Sequence, residues 1–174
     1  MRVLVMVLGI VAFLVGCSPS RLADQHVAAS RVKAYHSLQE LNQEAIAVAR
    51  VTATTTRSRE QVGSIPSTST LVHVDQVLRG SVDGSTILLH QMGSPNGPTV
   101  IEDVAPLVEA GKSYVVFLSR FTYGPGRDTN QYIPVGGGPG LFSDQRGTLS
   151  PLDPASPDLP KTVTLASLQQ QISK

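Results

Sequence analysis

Ser113-Tyr114-Val115-Val116-Phe117-Leu118-Ser119 sets the fold class of this chain. The run is apolar on both alternating faces, as in a strand buried on each side at the centre of a sheet. Gly111-Lys112 turns into it from Leu107. Upstream, Thr68–Leu78 alternates cleanly. Val72, Val74 and Leu78 fall on one face, and Leu71, His73, Asp75 and Val77 on the other. Arg79-Gly80 and Asp83-Gly84 flank a tight connection to Thr86–Met92, where Ile87 and Leu89 oppose Leu88 and His90. Ala45–Thr56 has the same period of two, and Gln131–Val135 reads as a short strand. The chain is therefore predicted to be mainly β.

Between these strands the sequence predicts a polar loop at Arg57–Ser67 with Gly63 and Pro66, and a turn-rich loop at Gly93–Pro98. It predicts further loops at Arg120–Asn130 and Gly136–Gly140. The four prolines of Pro151–Pro160 exclude regular structure there. Ser37-Leu38-Gln39-Glu40 is a capping box that opens a short helix to Glu44. At the other end, Leu165, Leu168 and Ile172 share one face of a helix over Leu165–Ile172.

At the N-terminus, Arg2 precedes an uncharged run of thirteen residues, Val3–Val15, and then Gly16-Cys17. As a helix this run spans roughly 20 Å, short of a ~30 Å hydrocarbon core. Leu14-Val15-Gly16-Cys17 resembles a bacterial lipobox. That resemblance implies a signal peptide over residues 1–16, cleavage between Gly16 and Cys17, and a diacylglycerol on Cys17. The expected product is an extracytoplasmic protein lipid-anchored to a bacterial membrane. Ser18 is not the aspartate that commonly retains lipoproteins at an inner membrane, which favours the outer membrane where one exists. Residues 17–35 then read as lipidated cysteine and tether, and residues 36–174 as a single β-barrel domain with its C-terminal helix.

Cys17 is the one cysteine among 174 residues, so neither a disulfide nor thiol catalysis is expected. Removing Arg2 from the fourteen Lys+Arg leaves thirteen, against thirteen Asp+Glu. A neutral chain without a basic stripe argues against a nucleic-acid partner and leaves membrane contact to the lipid.

Val77-Leu78-Arg79-Gly80, Ala110-Gly111-Lys112-Ser113-Tyr114 and the glycine-rich segment ending in Gly140-Leu141-Phe142 carry a second resemblance, over roughly Ser37–Phe142. They resemble small secreted bacterial domains with an oligonucleotide/oligosaccharide-binding (OB) type barrel. In outline they also resemble the netrin-like module of tissue inhibitors of metalloproteinases. The implied fold is a small closed or partly open barrel of five to six strands with a short helix at each end. The inhibitors' function does not carry over. They chelate the protease zinc through a free N-terminal cysteine, which here is expected to be acylated, and their disulfides are absent.

Catalytic chemistry is sparse. Gly111-Lys112-Ser113 echoes a phosphate loop, but Pro106 stands where that loop needs its first glycine, and a strand follows. Pro139 removes a backbone donor from the Gly136–Gly140 cluster. His73, Asp75 and His90 are the one plausible metal trio. No cofactor is expected, and catalysis is not. The leading reading is a cell-envelope binding module whose partner is an envelope protein or the cell wall. Its surface comprises Gly93–Pro98, Phe121–Asn130 and Gly136–Gly140, with Phe121, Tyr123, Gly137 and Gly138 as contact residues. The alternatives are a small envelope hydrolase or metal-binding protein using His73 and His90, and a structural accessory of an envelope or secretion complex.

Overall fold

The computed structural model describes residues 25–28 and 33–173, apart from residues 64, 96–98, 103, 125, 154 and 155. The leader, Gly16 and Cys17 lie outside the described residues. Described in chain order are β1 (Gln25–Ala28), α1 (Leu38–Glu44), β2 (Ala47–Val62), β3 (Ile65–Gly80), β4 (Thr86–Met92) and β5 (Thr99–Glu102). Then come β6 (Ser113–Thr122), β7 (Asp128–Pro134), β8 (Leu141–Gln145), β9 (Thr148–Pro151), β10 (Val163–Thr164) and α2 (Leu165–Ile172).

Eight strands pair in one mixed sheet, in the order β10-β9-β8-β6-β2-β3-β4-β7. A further pairing of β6 with β7 draws β6, β2, β3, β4 and β7 into a partial five-strand ring. Every seam of this ring is antiparallel except β4–β7, which is parallel and held by Leu88↔Gln131 and Leu89↔Tyr132. The mainly β class and the short helix at each end match the sequence reading. A self-contained barrel of five or six strands does not describe the sheet, because β8, β9 and β10 extend it beyond the ring. The segment read as a tether contains β1, which pairs in parallel with β5.

The glycine cluster explains the extension. One edge of β6 lies along β2, while its other edge is shared in succession by β8, at Tyr114–Val116, and β7, at Leu118–Thr122. The chain changes partner at Gly140, which accepts from the Phe117 N–H and donates to the Val135 carbonyl. A Cβ on Gly140 would stand 2.7 Å from the Val135 nitrogen and 3.0 Å from the Phe117 oxygen. Only glycine lets the three backbones meet there.

From Tyr114 to Leu118, β6 is buried on both faces, as its sequence predicts. Tyr114, Val116 and Leu118 join Ala49, Val51, Val72, Leu89 and Tyr132 in one core cluster. Val115 and Phe117 point the other way, into a second cluster with Leu38 and Leu41 of α1 and Leu168 and Ile172 of α2. Ser37 caps α1 by accepting from the Glu40 N–H at 3.2 Å.

The polar loop expected at Arg57–Ser67 is instead the far half of a long hairpin. β2 and β3 continue to Val62 and Ile65 around Gly63, whose φ is +63°. The pairing slips between Ala53 and Arg57 and then resumes from Arg57↔Thr70. Its polarity is misleading because Ser67, Thr68, Ser69 and Thr70 are all buried. The Arg120–Asn130 loop is likewise shorter than expected, since β6 runs to Thr122 and β7 begins at Asp128.

Candidate functional site

Along β3, Ile65, Ser67 and Ser69 share one face, while Thr68, Thr70 and Val72 share the other. Val72 belongs to the core. The face of Ser67 and Ser69 is therefore the one turned away from that core. Register sets Met92 and His90 of β4 beside Ser67 and Ser69, and Val62 and Glu60 of β2 beside Ile65 and Ser67. Phe121 and Gln131 are themselves partners across β6 and β7. Val62 and Ile65 at the end of the β2–β3 hairpin and Phe121 near the end of β6 line one space over this face.

A cavity of about 200 Å³ lies there. Val62, Ile65, Met92, Val104, Phe121 and Ile133 supply most of its apolar wall, and Gly137 contributes backbone. Ser67, His90 and Gln91 also line it. Gln91 is held at both ends, donating to the Pro106 carbonyl at 3.1 Å and accepting from the Val108 N–H at 3.0 Å.

Beside the cavity runs a polar chain, buried at Ser69, His90 and Gln131 and reaching the surface at Glu60 and Tyr123. Gln131 donates to Glu60 Oε1 at 3.0 Å, and this fixes the amide orientation. Gln131 Oε1 therefore accepts, and it takes the Ser69 hydroxyl proton at 2.9 Å. Ser69 has no second proton, so the contact of 3.1 Å between its Oγ and His90 Nδ1 has the imidazole as donor. Tyr123 closes the chain from the β6–β7 loop, donating to Glu60 Oε2 at 3.0 Å. The Phe121 ring stacks on His90, with centroids 3.9 Å apart and planes 15° apart, and Tyr123 meets Phe121 edge-on at 4.9 Å.

Electrostatics follow from these contacts. Burial pushes the His90 pKa down, opposed in part by Glu60 and Gln131. Burial also pushes the Glu60 carboxyl up, but hydrogen bonds led by Gln131 and the nearby His90 outweigh it and hold the group below its usual range. Glu60 in turn raises the Tyr123 hydroxyl.

The structure brings Phe121, Tyr123, Gly137 and His90 to one place. Gly138 is buried next to Gly137, against Asp153 and Ala105, the latter also in the cavity wall. His73 and His90 do not converge. His73 pairs with Thr86 and His90 with Ser69, four steps along β3, or about 13 Å. His73 and Asp75 are exposed, and Asp75 accepts from Thr52 at 2.7 Å. Among the described residues, no group of three His, Cys, Asp or Glu is placed to hold a metal ion.

Ser69, His90 and Glu60 have the composition of a hydrolytic triad but not its geometry. Ser69 and Glu60 both approach His90 through Nδ1, at 3.1 and 3.8 Å. A relay needs the serine on one ring nitrogen and the acid on the other.

Glu60, Ser67, Ser69, Met92 and Gln131 were not singled out from sequence. Their signal is the period of two in Ser58, Glu60 and Val62 and in Ile65, Ser67 and Ser69, hidden by polar side chains. No protein-family model matches the chain, and no curated protein matches it.

Proposed function

We propose that this chain is a lipid-anchored binding module of the bacterial cell envelope, built on an OB-type frame. It holds a protein or cell-wall partner on the β3–β4 face, between the β2–β3 hairpin and the β6–β7 loop. The observation that carries this reading is the cavity of about 200 Å³ on that face. The OB reading draws support from the order of pairings. A ring of five strands runs β2-β3-β4-β7-β6 and returns to β2, with β4–β7 its parallel seam. OB folds bind on the face of their second and third strands, flanked by the first hairpin and the last loop. Here those parts are β3 and β4, the β2–β3 hairpin and the β6–β7 loop. The balanced charge favours a protein or cell-wall partner over nucleic acid. The lipobox resemblance of Leu14–Cys17 supplies the anchor, since two acyl chains hold a neutral domain at a membrane.

Photo-crosslinking in living cells tests the whole reading. A benzophenone amino acid replaces Tyr123, which is 44% exposed, or Val77, which is 41% exposed and lies towards the α1 end of β3. The expected result is an adduct in the membrane fraction from position 123 and none from position 77, with both protein and adduct leaving that fraction in Cys17→Ser. Equal labelling from both positions counts against the binding face. Retention of Cys17→Ser at the membrane counts against the lipid anchor.

A further inference from the structure

The polar end of the cavity says what kind of group it takes. Ser67 is 1% exposed, and among the described residues its Oγ has no hydrogen-bond partner. A buried hydroxyl left unpaired is destabilising and calls for an explanation. Ser67 lines the cavity, on the same face of β3 as Ile65 and between Glu60 and Met92 in register. Its neighbours do not answer it. The Ser69 proton goes to Gln131, and both functional ends of the Gln91 amide are taken by backbone. The hydroxyl is thus a donor and acceptor at the edge of a mostly apolar space, which His90 and Gln91 also line.

Size and lining narrow the ligand further. A cavity of 150 Å³ walled by aliphatic and aromatic side chains admits benzene. The present one, at about 200 Å³, has room for a ring and one or two more heavy atoms. Met92 and Phe121 stand in its wall, and thioether sulfur and ring edges both favour an aromatic guest. Among the described residues, no charged side chain lines it.

We infer that the cavity is a binding site for a single phenol-sized aromatic group, whose one polar atom hydrogen-bonds to Ser67 Oγ while its ring packs among Ile65, Met92, Phe121 and Ile133. This rests on the reading of the β3–β4 face as the binding face and adds the chemistry of the group bound there. The group is either a free phenolic compound or a tyrosine-like side chain presented by a partner, and the two share this recognition.

Met92 is a reporter for the test, since the other two methionines, Met1 and Met6, lie in the leader. The full-length protein, methyl-labelled at methionine and held in detergent micelles, is titrated with p-cresol, with toluene and with N-acetyl-tyrosinamide. Wild type and Ser67→Ala are compared in the same micelles, which cancels partitioning into detergent. The expected result is a saturable shift of the Met92 methyl with p-cresol that Ser67→Ala weakens about three- to tenfold, with toluene affinity unchanged or tighter. Response to the tyrosine amide as well supports a presented side chain, and response to p-cresol without it supports a free compound. Equal effects of Ser67→Ala on p-cresol and toluene overturn the hydrogen bond, and a silent Met92 overturns the site. Neither result touches the crosslink expected from position 123, so the two readings fail separately. Ser67→Ala should also keep or raise the Tm of the free protein, because it removes an unpaired hydroxyl. A lowered Tm assigns Ser67 to folding and overturns its role as a ligand group.

Discussion

His90 shows how one residue couples the fold to its surroundings. Its ring is buried and stacked on Phe121, and it donates to Ser69 as a neutral imidazole. Burial depresses its folded pKa below the ordinary value near 6.5. Below that ordinary value the unfolded chain binds the proton more readily than the folded one, so stability falls as pH falls. Glu60 acts in the same direction at lower pH. Its carboxyl is held low in the folded state, so its contribution is present above the ordinary carboxylate range and is lost as pH drops through the lowered value. Denaturant unfolding between pH 7.5 and 5 should therefore show stability declining towards acid. One proton limits the slope to at most about 1.4 kcal/mol per pH unit. His90→Gln should flatten the upper part of that decline. An unchanged slope in the variant would assign the proton to another group.

At the scale of elements, the Val77-Leu78-Arg79-Gly80 turn has a structural task that its sequence hinted at only as a motif. The Arg79 guanidinium donates through Nη2 to the carbonyls of Asn42 and Ala45, at the C-terminal end of α1. Those groups have no helical partner of their own, and a cation suits that end of the helix dipole. Gly80 makes the approach possible, since a Cβ there would lie 2.1 Å from the Ile46 oxygen. Arg79→Ala should lower stability by about 2–3 kcal/mol, read as a shift in denaturant midpoint at constant m-value. Arg79→Lys should recover part of the loss, because an ammonium keeps the charge but not the planar fork. Loss of the same size in both variants would mean that charge at the helix end contributes little. Other elements of this kind were legible from sequence. Ser37 caps α1 as its capping box indicates, β4 has the expected bounds, and α2 buries Leu168 and Ile172 from its apolar stripe. The β2–β3 extension was not legible. Its serines and threonines carry strand periodicity without apolar contrast, and they are buried where β4 pairs along Ser67–Thr70 and Gln131 of β7 meets Ser69.

In the whole molecule, the candidate site follows from the same gap. Phe121, Tyr123 and Gly137 stood out as aromatics and glycine in turn-rich loops, but the hairpin that completes their surface had read as a loop. Topology alone brings Glu60 to Gln131, 71 residues away. The ring is also uneven in strength. β2 and β6 pair over six positions, from Ala47↔Leu118 to Thr52↔Ser113, and are buried on both faces there except at Arg50, Thr52 and Ser113. β4 and β7 pair over two. Local opening follows the sparsest contacts, so the parallel seam should be the first part of the ring to open. Native-state hydrogen exchange should find the amides that bridge β4 and β7 near Leu88–Leu89 and Gln131–Tyr132 less protected than those bridging β2 and β6 at Val48–Val51. Because His90 and Met92 follow on β4 and Ile133 on β7, opening this seam would widen the cavity, whereas opening β2–β6 would break both cores. A guest bound there should therefore slow exchange at the seam while leaving β2–β6 unchanged. Uniform protection around the ring would show that the parallel pairing closes it as firmly as the antiparallel seams, and that the cavity admits its guest through the loops alone.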